Sequence, residues 1–158
     1  METGNNVATE TSDRELVITR LFDAPRELVF KACAEPEHWV HWLGLRGITG
    51  KVLQSAKRPG DAYRYYMRDA EGGDHWLQGV YREVVEPERL VFTWGWATEQ
   101  WHPTSPETIV TMTFEDVGGK TRLKLQHGLF ESVSACDLHR EGWTSSVERL
   151  EEYLAAAR

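Results

Sequence analysis

Between Glu15 and Phe22 the Cβ-branched residues Val17, Ile18 and Thr19 lie in a run that stops at Asp23-Ala24-Pro25, which predicts a first strand. Pro25 suits the first turn of a helix, where a missing N–H costs nothing, and Leu28, Val29, Ala32 and Cys33 then recur at helical spacing. Pro36 opens a second short helix through His38-Trp39-Val40-His41-Trp42-Leu43, and Gly44 is placed to close it in a left-handed cap.

From Gly47 to His127 the period changes to two. Turn chemistry divides the stretch at Arg58-Pro59-Gly60, Ala70 to Asp74, Glu86-Pro87-Glu88 and Val117 to Lys120, so six consecutive strands in a meander are expected. Tyr63, Tyr65 and Met67 alternate with Arg64, Tyr66 and Arg68. Leu90, Phe92, Trp94 and Trp96 alternate with Val91, Thr93 and Gly95. Val110, Met112 and Phe114 share a face, as do Leu123, Leu125 and His127, and in each strand this first set points inward. The final stretch, about Ser134 to Ala157, carries Trp143, Val147, Leu150 and Leu154 on one helical face with charges between them. A sheet of six to seven antiparallel strands that is apolar on one face must be covered there, and only this helix is long enough. The expected class is α+β: a curved antiparallel sheet around a long C-terminal helix, with two short helices after strand one.

Length and composition narrow the function. At 158 residues one domain is expected, with residues 1–13 as a flexible tail and 14–158 as the folded unit. The absence of an 18-residue apolar run, and the polar start, predict neither membrane insertion nor a signal peptide, which points to the cytoplasm. Eighteen basic against 25 acidic residues give a net charge of -7, which repels phosphate backbones and argues against nucleic acid. Cys33 and Cys136 read as small buried thiols. There is no Gly-x-Ser-x-Gly elbow, phosphate-cradling glycine loop or dinucleotide fingerprint, so no cofactor is expected.

Three groups of residues carry a family resemblance. The first is Phe22-Asp23-Ala24-Pro25-Arg26-Glu27-Leu28-Val29-Phe30, followed by Pro36-Glu37-His38 and Trp42. The second is Gly79-Val80-Tyr81 with Pro87-Glu88-Arg89-Leu90-Val91-Phe92-Thr93-Trp94. The third is Glu141-Gly142-Trp143, Ser145-Ser146 and Leu150-Glu151-Glu152-Tyr153-Leu154. Together they resemble the bacterial homologues of the heat-shock-protein-90 ATPase activator, within the START-like (SRPBCC) superfamily, from about Leu16 to Leu154. The resemblance implies the helix-grip fold, in the order β-α-α-β-β-β-β-β-β-α. That superfamily includes lipid and hormone carriers, cyclases and aromatases, and chaperone activators on one scaffold.

The inward aromatics suit a flat or apolar ligand held between sheet and helix. Candidate ligand-binding residues are Trp39, Trp42, Tyr63, Tyr65, Met67, Trp94, Trp96, Met112, His127 and Trp143, against the alternative that they only fill the core. Trp76 and Trp101 are weaker candidates. Loop Ala97 to Pro106 is longer than a hairpin needs and could gate a pocket mouth near the Ala70–Asp74 turn and the start of the last helix. His127 is the single candidate acid or base, with a hydrogen-bonded core histidine as the competing reading. His38 and His41 stand at a metal-compatible spacing without a third ligand, so no metal is expected. Non-catalytic binding of a small hydrophobic or aromatic molecule, with a stress-related role, is the first reading. A chaperone-interacting module or homodimer is the second, and a cyclase- or hydrolase-like enzyme using the same cavity is the third.

Overall fold

The computed structural model describes residues 13–157. The expected tail, apart from Asp13, lies outside the described residues. The element order is β1 (Leu16–Phe22), α1 (Arg26–Ala34), α2 (Pro36–Trp39), β2 (Thr49–Gln54), β3 (Ala62–Arg68), β4 (Asp74–Val85), β5 (Arg89–Ala97), β6 (Thr108–Val117), β7 (Lys120–Gly128) and α3 (Val133–Ala156).

All seven strands join one antiparallel sheet in the order β1-β7-β6-β5-β4-β3-β2. Strands β2 to β7 form the expected meander, and β1 returns to pair with β7, setting Leu16 opposite His127. The alternation read from the sequence is the alternation of burial: Tyr63, Tyr65 and Met67 are buried between more exposed neighbours, as are Leu123, Leu125 and His127. The helix α3 buries Trp143, Val147, Leu150 and Leu154 against this face. The three aliphatic side chains among them contribute about 1.5–3 kcal/mol each through burial. Ser132 caps α3, its hydroxyl accepting from the Ala135 N–H at 3.1 Å.

Two local expectations are corrected. Pro25 is the N-cap of α1, in extended conformation, rather than a residue of its first turn. The second helix closes at Trp39 instead of running to Leu43. Beyond it the chain turns through His41 N–H to His38 O and Trp42 N–H to Trp39 O, three-residue steps that tighten the winding, and Gly44 then takes φ +100°. The tightening buries Trp39 and Trp42 together, and their indole N–H groups donate to the α1 carbonyls of Cys33 (2.9 Å) and Ala32 (3.1 Å).

A backbone approach in the sheet shows why Gly79 is glycine. The Tyr63 ring lies over it and its hydroxyl donates to Thr93 O at 2.7 Å, so a Cβ at Gly79 would stand 2.6 Å from Tyr63 Cε2. Along this stretch the Thr93 hydroxyl accepts from the Val80 N–H at 2.8 Å, which replaces a ladder bond between β4 and β5.

Candidate functional site

One end of the sheet stays open beside the first turns of α3. There a cavity of about 460 Å³ is walled by Leu43, Ile48, Met67, Trp94, Trp96 and Trp143, within the size range of small-molecule sites. Its rim combines the turn after β3 (Asp69, Ala70, Glu71), His75 of β4, the segment before β2 (Gly44, Leu45, Arg46) and Leu138, His139 and Gly142 of α3.

α3 clamps the segment before β2. The Arg149 guanidinium donates to the carbonyls of Leu43, Gly44 and Leu45 at 3.0–3.2 Å, the Gly44 N–H donates to the Ser146 hydroxyl at 2.8 Å, and the Ser145 hydroxyl donates to Gly44 O at 3.3 Å. A turn with few partners of its own is thereby fixed as a cavity wall.

Behind the cavity lies a fully assigned polar chain. The Trp143 indole N–H donates to His127 Nδ1 at 2.9 Å, so that nitrogen carries the lone pair and the proton sits on Nε2. Nε2 then donates to Thr108 Oγ1 at 2.7 Å, and the Thr108 hydroxyl donates to Trp94 O at 3.2 Å. His127 is 0% exposed, and burial, with His139 nearby, pushes its pKa well below the ordinary value. Both ring nitrogens are committed and the ring is neutral, so His127 has the geometry of the core histidine and offers no free nitrogen to a substrate.

His139 repeats the device nearer the rim. Trp96 donates its indole N–H to His139 Nε2 at 3.0 Å, and His139 Nδ1 donates to Ala135 O at 2.8 Å. Burial lowers its pKa, against the opposing pull of the Ala135 carbonyl and Glu131. Trp94 packs edge-on to Trp96 with ring centres 5.6 Å apart, and against Trp143 at 5.2 Å, but its own Nε1 is buried without a hydrogen-bond partner.

Of the ten candidate residues, the structure brings Met67, Trp94, Trp96 and Trp143 together as cavity wall. Trp39, Trp42, Tyr63, Tyr65 and Met112 lie outside that wall in the packed interior, where Trp39 meets Tyr63, Tyr65 and Phe92 at 5.1–5.7 Å. His127 stands behind Trp143. His38 and His41 both turn to the far end of α3: His38 Nδ1 is 2.6 Å from the Tyr153 hydroxyl, and the His41 ring stacks on Tyr153 at 4.8 Å. The loop Ala97–Pro106 packs against the outer face of the sheet, with the Arg64 guanidinium 4.7 Å over the Trp101 ring and Gln78 bonded to Trp101 O, so it takes no part in the cavity rim. Beside it lies an outer groove lined by Arg64, Gln78, Gly95 and Pro103.

Sequence reasoning missed His75 and His139. His139 precedes Trp143 and Val147 at helical spacing, and His75 precedes Leu77, Gly79 and Tyr81 at strand spacing, so a signal existed for both.

The profile of the activator of Hsp90 ATPase homolog 1-like protein matches residues 23–155. The chain belongs to that family. Solved structures agree. The family protein from Silicibacter pomeroyi is 26% identical with a TM-score of 0.82, the match covering 91% of this chain and 99% of that one. A protein from Chromobacterium violaceum is 26% identical with a TM-score of 0.78, covering 90% and 98%. A protein from Arthrobacter aurescens, 22% identical with a TM-score of 0.82 over 91% and 87%, shares the fold. No curated protein matches the chain. This member of the family has the helix-grip order expected from its resemblance, and among its described residues no helix is long and apolar enough to cross a membrane.

Proposed function

We propose that this protein binds a small, flat, largely apolar molecule in the cavity between the open sheet end and the start of α3. The supporting observation is a partly open cavity of about 460 Å³ lined by three tryptophans, Met67 and two aliphatic side chains, where the sheet end meets α3. Indole walls supply large contact area with little rotamer entropy to lose on binding.

The test uses 2-methoxynaphthalene, an apolar aromatic without a hydroxyl, followed by the indole N–H signals of the tryptophans in an ¹H–¹⁵N spectrum. Saturable shifts at Trp94, Trp96 and Trp143, with Trp76 and Trp101 unmoved, support the reading. Shifts spread evenly over all the tryptophans, or none, reject it.

The family's description motivates a second reading, a chaperone-contacting module, which Leu45 and Leu138 favour, being 47% and 68% exposed on the same rim. Stimulation of a chaperone ATPase by this protein, lost in Leu138→Glu, is its test.

A further inference from the structure

The polar atoms of the cavity rim account for one another almost completely. Arg46 forks onto both oxygens of Glu152 at 3.0 and 2.6 Å. The Ser146 hydroxyl donates to Gly142 O and accepts from Gly44 N–H. Both nitrogens of His139 are used, as described above. Asp69 Oδ1 accepts the N–H groups of Glu71 (3.0 Å) and Gly73 (2.8 Å), which fixes the carboxylate in its turn, and its Oδ2 lies 2.8 Å from His75 Nε2. The Glu71 carboxylate is exposed at the cavity mouth, where water solvates it.

One ring acceptor is left. An ionised carboxylate can only accept, so His75 Nε2 carries the proton and donates to Asp69, and the lone pair of the neutral ring is on Nδ1. Among the described residues nothing bonds to that nitrogen. His75 is on the cavity rim with its side chain 44% exposed, and its ring stands edge-on to the Trp96 wall at 6.1 Å. Met67 is its cross-strand partner, so the ring shares the inward face with the cavity's apolar residues.

We propose that the cavity selects hydroxylated aromatics: the ring of a phenol-class ligand lies among Trp94, Trp96 and Trp143, and its O–H donates to His75 Nδ1. Asp69 acts as a positioning residue that holds the imidazole in the accepting tautomer. The inference rests on the ligand-binding reading above. No covalent step is involved.

The test compares 2-naphthol with 2-methoxynaphthalene, which keep the same ring but differ in the O–H, by calorimetry and by the ¹⁵N resonances of the His75 ring. In the wild-type protein 2-naphthol binds roughly tenfold tighter, the scale of one net hydrogen bond, and its binding shifts His75 Nδ1 while the ether does not. Asp69→Asn is the decisive variant. The introduced amide can still accept from the turn N–H groups, but it offers N–H to Nε2, so the ring proton moves to Nδ1 and the acceptor becomes a donor. The naphthol preference then disappears, because the oxygen of either compound can accept from Nδ1–H. His75→Phe removes the preference without the tautomer change, and near-UV circular dichroism checks that both variants remain folded.

Equal affinity for the two compounds in wild-type protein overturns the phenol inference and leaves the apolar cavity standing. A naphthol preference that survives His75→Phe overturns the assignment to His75. Failure of both compounds to bind overturns this inference together with the proposed function.

Discussion

Trp143 on α3 donates its indole N–H to Nδ1 of His127 on β7 at 2.9 Å, and this one bond decides the tautomer of a fully buried histidine. It also ties the helix to the sheet behind the cavity, as the bond from Trp96 to His139 does nearer the rim. Trp143→Phe keeps a ring in place but leaves His127 Nδ1 buried and unpaired, a cost of about 1–3 kcal/mol from the lost partner alone. Urea denaturation measures it. A variant as stable as wild type means that water reaches His127.

Acid sensitivity follows from the same ring. The folded protein holds His127 and His139 below their ordinary pKa values, chiefly by burial, whereas the unfolded chain protonates them near pH 6.5. Their contribution is therefore complete above about pH 6.5 and is lost as pH falls from there toward the depressed folded-state values, by up to about 1.4 kcal/mol per pH unit per histidine. Asp69 and Glu152, whose carboxylates the fold holds low, lose their contribution only as pH falls through the ordinary carboxylate range, about 4 and below, beneath the range that the urea midpoints sample. Urea midpoints at pH 7.5, 6.0 and 5.0 should fall in that order, with a shallower fall in His127→Gln. A flat profile contradicts the assignment.

Two tyrosines a strand step apart should respond oppositely to loss of the same atom. The Tyr63 hydroxyl is bonded to Thr93 O, whereas the Tyr65 hydroxyl is buried with no partner. Tyr63→Phe should cost about 0.5–1.5 kcal/mol, and Tyr65→Phe should be neutral or stabilising, because it removes an unsatisfied polar group. Thermal denaturation of the pair against wild type decides.

Arg149→Met removes the donor that gathers the carbonyls of Leu43, Gly44 and Leu45. A loss of about 1.5–3 kcal/mol is expected, on the scale of hydrogen bonds to a charged group. Hydrogen exchange should quicken at residues 43–48 more than in the β6–β7 hairpin. Uniform quickening indicates global destabilisation rather than a released cavity wall.

Gly142 gives a way to close the cavity without damaging the fold. It lies on the rim in the interior of α3, and a Cβ there meets nothing within 4 Å. Gly142→Leu improves helix propensity by up to about 1 kcal/mol and sends its side chain into open space. The variant should melt at or above the wild-type temperature and lose the 2-methoxynaphthalene shifts. Retained binding moves the site elsewhere.

The sequence by itself determined the elements and their faces, because period two along Tyr63-Tyr65-Met67 or Leu123-Leu125-His127 is set by the pleat, and the spacing Trp143-Val147-Leu150-Leu154 by the helical turn. The family was legible for the same reason, in segments such as Phe22–Phe30 that are contiguous in the chain. Parity states which face a side chain is on but not how far along the sheet α3 covers it. Tyr63, Tyr65 and Met67 share one face, yet only Met67 reaches the open end, and Trp39 fills the interior that the sequence offered equally to a ligand. Hydrogen-bond partners were likewise beyond it: the strand register that sets Met67 opposite His75 and the hairpin that brings Asp69 to its ring are tertiary facts. Only the folded chain could decide that His127 has both nitrogens occupied and His75 has one free, because a nitrogen's availability depends on which atoms surround it in space.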